Sequence, residues 1–419
     1  MRGPTLKWGV LLLAVALGLT LLFAGGCGDN DEENGSPTAV VGDSTGVTDT
    51  EIKIGTLLPL TGTAAAWGIA LSQGMKAYFD YINDQGGVHG RKITFLIEDD
   101  HYNPPDTIEV VRKLVEQDKV FAIVAGLGEN AHSAVWKYLE ERNVPDMFVT
   151  GGLLKWSEPP VHSRFSGSVD FVTEGKMLGK YVVENYPGTK LGLLLQNDEM
   201  GSDSEKGLNI ALEGSDIEIV AKESYEAINF DATAQTQRLH NAGAEVIIAF
   251  AIPPQAASLV KTARDTLNWD VPIIVSGINA DQIFIDLAGE KTGEPLAEGV
   301  ISIVMGHMVN EAENPAIKAH IELMEKYGRG TPVSNFSLYG AAMGELIVEI
   351  LNLAGPDLTR ESFLDAAESI RGWYCNGCMV PISLSPTDHR PLEMEMYTRV
   401  ENGTWVTFGE PVSFESTPE

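Results

Sequence analysis

From Ile52 onward, short runs of aliphatic and β-branched residues alternate with longer segments whose apolar positions recur every three or four residues. Runs of the first kind predict buried strands, and segments of the second predict amphipathic helices. Residues 52–58 (IKIGTLL) read as a strand ended by Pro59 and Gly62. A helix is predicted at 68–85, with Ala70, Gly74, Ala77, Tyr78, Tyr81 and Ile82 on one face and Gly86-Gly87 as its stop. Strand 92–97, helix 105–117, strand 120–125, helix 130–142 and strand 144–149 complete a first cycle. A second cycle runs through helix 171–186, strand 191–196, helix 201–213, strand 216–221 and helix 231–242. It ends with strand 245–251, helix 254–266, strand 272–275 and helix 279–289. Such alternation predicts an α/β fold of two doubly wound lobes, each with a parallel central sheet covered on both faces. Residues 299–419 read as completing these sheets, with a strand at 299–305 and helices at 314–327, 335–354 and 360–370. Short strands are expected near 379–383, 394–400 and 404–408. Tyr339, Met343 and Leu346, spaced by four and three, read as core packing.

The first 50 residues break this pattern. Arg2 and Lys7 precede an apolar run from Trp8 to Ala24, and no charged residue lies between Lys7 and Asp29. Gly25-Gly26-Cys27 then supplies small residues at a cleavage point. The run LFAGGC (22–27) resembles a bacterial lipoprotein signal, which implies removal of residues 1–26 and a lipid on Cys27. An uncleaved membrane anchor is the alternative, since the uncharged stretch is long enough to span. Either reading places the remainder outside the cytoplasmic membrane. Residues 28–51 carry seven acids and no Lys or Arg, so 27–51 is expected to be an acidic flexible tether.

Composition is ordinary for a globular chain of 419 residues, 44% hydrophobic and 21% charged. The balance of charge is not: 59 Asp and Glu against 29 Lys and Arg give −30. A surplus of that sign opposes phosphate binding and excludes a nucleic-acid partner. Three cysteines are too few for a disulfide scaffold.

Residues 52–68 (IKIGTLLPLTGTAAAWG), 83–100 (NDQGGVHGRKITFLIEDD), Val144-Pro145, 230–248 (FDATAQTQRLHNAGAEVII) and 385–406 (SPTDHRPLEMEMYTRVENGTWV) resemble, in order, one known family. It is that of the branched-chain amino-acid-binding proteins of ABC importers, with the type I periplasmic-binding fold. The resemblance implies two lobes joined by three crossover segments, with a small polar solute closed between them. Lobe 1 is expected at 52–168 and 299–376, lobe 2 at 169–298 and 377–419. The expected partners are the solute, an ABC permease and, through the lipid, the membrane; no cofactor, metal or bond chemistry is implied. A ligand-sensing module on the same fold is the second reading.

In open α/β sheets, ligands bind beyond the carboxyl ends of strands, which here means the loops after Leu58, Ala125, Val149, Gln196, Phe250 and Val275. By resemblance, Trp67 lines the ligand side-chain pocket; the alternative is a core Trp covering the first helix, which a Trp next to Gly in a loop before a helix resembles less. Gly128, Glu129 and Asn130 fall in a loop that holds a ligand carboxylate in the family, but Glu129 replaces its Ser. A carboxylate there repels an anion and accepts an ammonium or amide, or else merely complements the helix dipole. Thr150 and Gly151 match the second such loop. Met200 stands for the family's aromatic in the second lobe, and Ser276 aligns where its acid commonly pairs with an α-ammonium.

Other motifs carry less. Residues 42–46 (GDSTG) spell a nucleophile elbow without the strand and helix it needs. Residues 126–131 spell a dinucleotide fingerprint after the third strand instead of the first. Eight histidines show no metal-binding spacing, and Asp99-Asp100-His101 is a weak cluster. Cys375 and Cys378 flank an Asn-Gly turn, and outside the membrane a short-loop disulfide is expected.

Overall fold

Two sheets organise the chain in a computed structural model that describes residues 42–413 apart from 63, 228 and 230. The first sheet is built from β1 (Glu51–Leu58), α1 (Ala65–Asp84), β2 (Lys92–Asp99), α2 (Pro104–Arg112) and β3 (Ala122–Val124). It continues through α3 (Glu129–Ser133), α4 (Trp136–Glu141), β4 (Asp146–Val149) and β5 (Arg164–Ser166). Its strand order is β2-β1-β3-β4-β5, parallel throughout. Alternate residues of β1 serve opposite faces. Ile52 and Ile54 join a core with Phe79 of α1, whereas Leu57 joins one with Val111 of α2 and Leu139 of α4.

The second sheet follows from α5 (Phe171–Asn185), β6 (Lys190–Gln196), α6 (Glu199–Leu212), β7 (Glu218–Tyr225) and α7 (Thr233–Asn241). Next come β8 (Val246–Phe250), α8 (Pro253–Lys261), β9 (Ile273–Val275) and α9 (Gln282–Ala288). A small hairpin, β10 (Glu290–Lys291) with β11 (Glu294–Pro295), leads to β12 (Ile301–Val304). Three helices, α10 (Pro315–Tyr327), α11 (Asn335–Ala354) and α12 (Arg360–Glu368), precede the antiparallel strands β13 (Met394–Glu401) and β14 (Thr404–Ser413). The order is β14-β13-β12-β9-β8-β6-β7. Leu194 of β6 faces one core, and Leu191, Leu193 and Leu195 face the other. The α/β class with two parallel-dominated, doubly covered sheets is therefore as the alternation of periods predicts.

Both halves use glycine to bring helices close. A Cβ on Gly74 of α1 would lie 2.0 Å from the Ser337 carbonyl oxygen of α11, and one on Gly207 of α6 would lie 1.9 Å from the Val172 oxygen of α5. α11 is long and apolar enough to cross a membrane, but most of it is buried against its neighbours and it is a core helix.

Several expectations need correction. β5 shows no apolar run, since Arg164 is buried in it; Arg164 donates to Glu140 (2.9 Å) and to the Trp156 carbonyl (3.2 Å), which makes its burial tolerable. No strand forms at 379–383, where Ile382 makes only an isolated bridge, with Trp373. The lobe boundaries also move. β12, assigned to lobe 1, is hydrogen-bonded between β9 and β13 of the second sheet. Ile382, Leu384 and Leu392, assigned to lobe 2, pack in the first sheet's core.

Residues 42–51 of the expected tether belong to the folded part. Residues 42–46 are fixed against the first sheet, because the buried Arg360 guanidinium donates to the carbonyls of Val120 and Phe121 (both 2.9 Å) and to Asp43 (2.7 Å). Ser44 Oγ donates to the Leu358 carbonyl at 2.9 Å, which gives the GDSTG run an anchoring role. The signal segment and Cys27 lie outside the described residues.

Candidate ligand-binding site

The first-sheet wall is set by loops that only certain residues allow. Asp99 accepts from the amides of Leu60 (2.9 Å) and His101 (3.0 Å) and from the Thr61 hydroxyl (2.7 Å), tying the β1–α1 loop down. Asp100 accepts from the Tyr102 amide and the Thr107 hydroxyl, both at 3.1 Å, so this acidic pair positions loops. Gly68 touches the same turn: a Cβ there would sit 2.0 Å from the Pro59 oxygen. Trp67 is thereby held in the first turn of α1, 5% exposed, 6.3 Å from the Phe336 ring, with Nε1 buried and unpartnered. Gly128 has φ 112°, and a Cβ on it would meet the Tyr102 ring at 2.6 Å, so only glycine fits this left-handed position.

These loops and the second sheet enclose a cavity of about 190 Å³. Trp67, Gly128, Glu129, Thr150 and Gly151 line it from the first sheet. Tyr102 and, from α11, Phe336, Tyr339 and Met343 line it too, as do Phe171 and Glu174 from α5, residues 277, 278, 280 and 281 after β9, and Glu395 of β13. The crossover residues Ser168 and Met305 to His307 also reach it. So does the disulfide Cys375–Cys378, whose intervening Gly377 carbonyl accepts from the His307 amide at 3.0 Å.

The lining carboxyl groups are unusual. Burial pushes Glu129 from 4.5 to about 7, with the Asp198 charge adding and hydrogen bonds from its own and the Gly152 amide opposing. Burial likewise raises Glu174 to about 7, although it accepts from the Gly277 amide at 3.2 Å. Glu395, 4% exposed, is raised further by burial and by the charges of Glu174 and Asp170. Asp281 is engaged as the N-cap of α9 and by the Asn335 amide at 3.2 Å.

A pH dependence follows. Glu129 holds its proton more tightly folded than unfolded, so the resulting stabilisation is complete below about pH 4.5 and is lost as pH rises through about 7. The loss is on the order of 3 kcal/mol for such a group. The ligand-free chain should therefore melt at falling temperature between pH 5 and 8, with Glu174 contributing over the same range, and Glu129→Gln should make the fall shallower. A variant whose Tm falls as steeply as that of the unaltered chain would contradict this assignment.

Three expected ligand contacts lie elsewhere. Asn130 does not line the cavity; its Nδ2 donates to Asp198 at 3.3 Å, across the two halves. Met200, 1% exposed at the start of α6, packs with Trp67, Leu153, Trp156, Phe171 and Ile252 in an apolar cluster shared by both halves. Ser276, 1% exposed, donates to the Ala251 carbonyl at 2.9 Å and accepts from Asn279 Nδ2 at 3.1 Å. The loops after Gln196 and Phe250 thus close the halves on each other, with Leu154 N donating to Asp203 (3.3 Å) and Lys155 pairing with Glu199. Apart from the cavity, His162, Glu361 and Asp365 bring ligand-capable atoms within 4.8 Å of one another, both acids being exposed.

Sequence reasoning missed Glu174 and Glu395; Tyr339 and Met343, read as core packing, do pack in the first sheet's core and line the cavity as well. An acid inside an apolar strand pattern, as at Glu395, was the one available signal.

The sequence model of one family, described as periplasmic binding protein, matches residues 51–404. The chain is similar to Leu/Ile/Val-binding protein homolog 2 of Brucella abortus (strain 2308), 24% identical over 330 residues covering 74% of this chain and 80% of that one. An amino acid binding protein of Pseudomonas aeruginosa is 25% identical over 311 residues, 73% and 79% of the two chains. Among solved structures, a branched chain amino acid ABC transporter from Thermus thermophilus with bound valine superposes with TM-score 0.78 at 20% identity, covering 87% of this chain and 97% of that one. A fatty acid ABC transporter substrate-binding protein from Thermomonospora curvata gives 0.77 at 23%, covering 90% and 95%. At such identities the superpositions speak to the fold.

Proposed function

The chain belongs to the periplasmic binding protein family, and from that premise we propose that it is the extracytoplasmic solute-binding protein of an ABC importer. It captures a small solute by closure of two lobes and delivers it to a membrane permease. One observation carries the reading: a mostly apolar cavity receives side chains from both sheets and from the crossovers, with a few polar groups converging on it. A hinge at the crossovers would open it, and the apolar cluster around Trp67 and Met200 would separate as it did so. Trp67 and the 127–129 and 150–152 loops hold the solute from one side, Glu174 and residues 277–281 from the other. The names of the relatives support an amino acid or a related small acid as the starting chemistry to test. Lipidation of Cys27 after removal of residues 1–26 would keep the protein at the outer face of the cell membrane.

A bound solute raises Tm by linkage, about 3 kcal/mol of stabilisation at a hundredfold excess over Kd. A thermal-shift panel of amino acids, amides, amines and carboxylates should therefore yield at least one solute that raises Tm by several degrees. Silence across all four classes would reject solute capture. Intact-mass measurement of the membrane-extracted chain tests the anchor: it should find a diacylglyceryl adduct on a chain beginning at Cys27.

A further inference from the structure

The cavity wall is lined by acidic side chains, Glu129, Glu174, Asp281 and Glu395, and among its described lining residues there is no Lys or Arg. The one ring that could serve as a cation, His307, has its Nδ1 beside the Glu311 carboxylate (2.7 Å), which offsets any positive charge on the ring. An anionic ligand group would meet carboxyls from both halves and no compensating charge.

A second observation is independent of that tally. Glu395 is 4% exposed, and its Oε2 is buried without a hydrogen-bond partner. A buried carboxyl oxygen with nothing to accept from is costly unless a ligand supplies the donor. It lines the same space as Glu174, whose other neighbours are the Gly277 amide and Asp170. The remaining wall is aromatic and aliphatic: Trp67, Tyr102, Phe171, Phe336 and Tyr339 with Ile278 and Met305. Aromatic faces attract cations, and more strongly once both are desolvated.

Resting on the solute-capture reading, we propose that the ligand is a small organic cation, an ammonium group carried on an apolar body and lacking a free carboxylate. Glu395 and Glu174 meet the ammonium, whose charge draws them to their ionised form, Glu129 faces it from the opposite wall, and the aromatic residues surround the hydrocarbon. Glu129, which lines the cavity from the first sheet, is the residue that excludes an anionic end.

The test uses matched triplets on the purified full chain in detergent: 3-methylbutylamine, leucine and 4-methylpentanoate, then 2-phenylethylamine, phenylalanine and 3-phenylpropanoate. Titration calorimetry should show one amine binding at least tenfold tighter than its amino acid, with no heat from its carboxylate. Glu395→Gln should weaken that amine at least tenfold without lowering the ligand-free Tm, which a purely structural role would lower. If an amino acid or a carboxylate binds as tightly as its amine, or if Glu395→Gln leaves the amine unchanged, the cation assignment falls while solute capture stands. If no amine binds and the wider panel of amides and acids is silent as well, both fall together.

Discussion

Gly207→Ala should destabilise the chain by about 3 kcal/mol, more than alanine placed at the exposed Gly62. Overpacking ordinarily costs about 1–3 kcal/mol, and a collision with rigid backbone belongs at the upper end. The added methyl would sit 1.9 Å from the Val172 oxygen and 2.7 Å from its carbon, so α5 and α6 must move apart. That motion opens the core formed by Met177, Leu178 and Leu208. Gly62→Ala is the control: its site is open, and only its φ of 79° opposes a side chain, which costs roughly 1–2 kcal/mol. Urea denaturation of both variants checks the contrast. Equal midpoints would mean that the two helices adapt freely, and the close approach would then not be structurally important.

Trp67→Ala should weaken solute binding about a hundredfold, near 3 kcal/mol, the range of a buried aromatic anchor. Trp67 acts twice. It lines the cavity, and it also packs against Met200 and Ile252 of the other half, so its removal weakens both the contact with solute and the closed state. Trp67→Phe keeps an aromatic surface and should retain affinity within about tenfold. Calorimetry with the solute that emerges from the thermal-shift panel is the measurement. An alanine variant that binds as well as the unaltered chain would place the solute away from this wall.

Much of the fold was legible because burial leaves a period in the sequence. β1, α1, β6 and α11 are long and strongly patterned, and their expected limits differ from the observed ones by three residues at most. Short elements were not legible. β5 offers three residues, one of them a buried arginine, and its strand character depends on Glu140 and Trp156 being present to satisfy that charge. The residues at 379–383 are apolar enough for a strand, but Pro381 interrupts them and Ile382 makes only an isolated bridge, with Trp373.

The site divides in the same way. Trp67, Gly128, Glu129, Thr150 and Gly151 lie just beyond strand ends, where the topology of any open α/β sheet puts its ligand. Met200 and Ser276 occupy equivalent loops, yet one is consumed by contact between the halves and the other by hydrogen bonds to its own loop.

The sequence by itself determined the class of fold, the pairing of strand ends with loops, the acidity of the chain and the proximity of Cys375 to Cys378. Each of these depends on residues near one another in the chain, or on composition. Only the tertiary structure decided where the crossovers fall, that Arg360 holds Asp43, and that Glu129, Glu174 and Glu395 face one cavity across more than 250 positions of sequence. A periodic pattern reports that a side chain is buried and is silent about what it is buried against. The charge of this cavity is a sum over distant residues, and it exists only once the chain has closed around it.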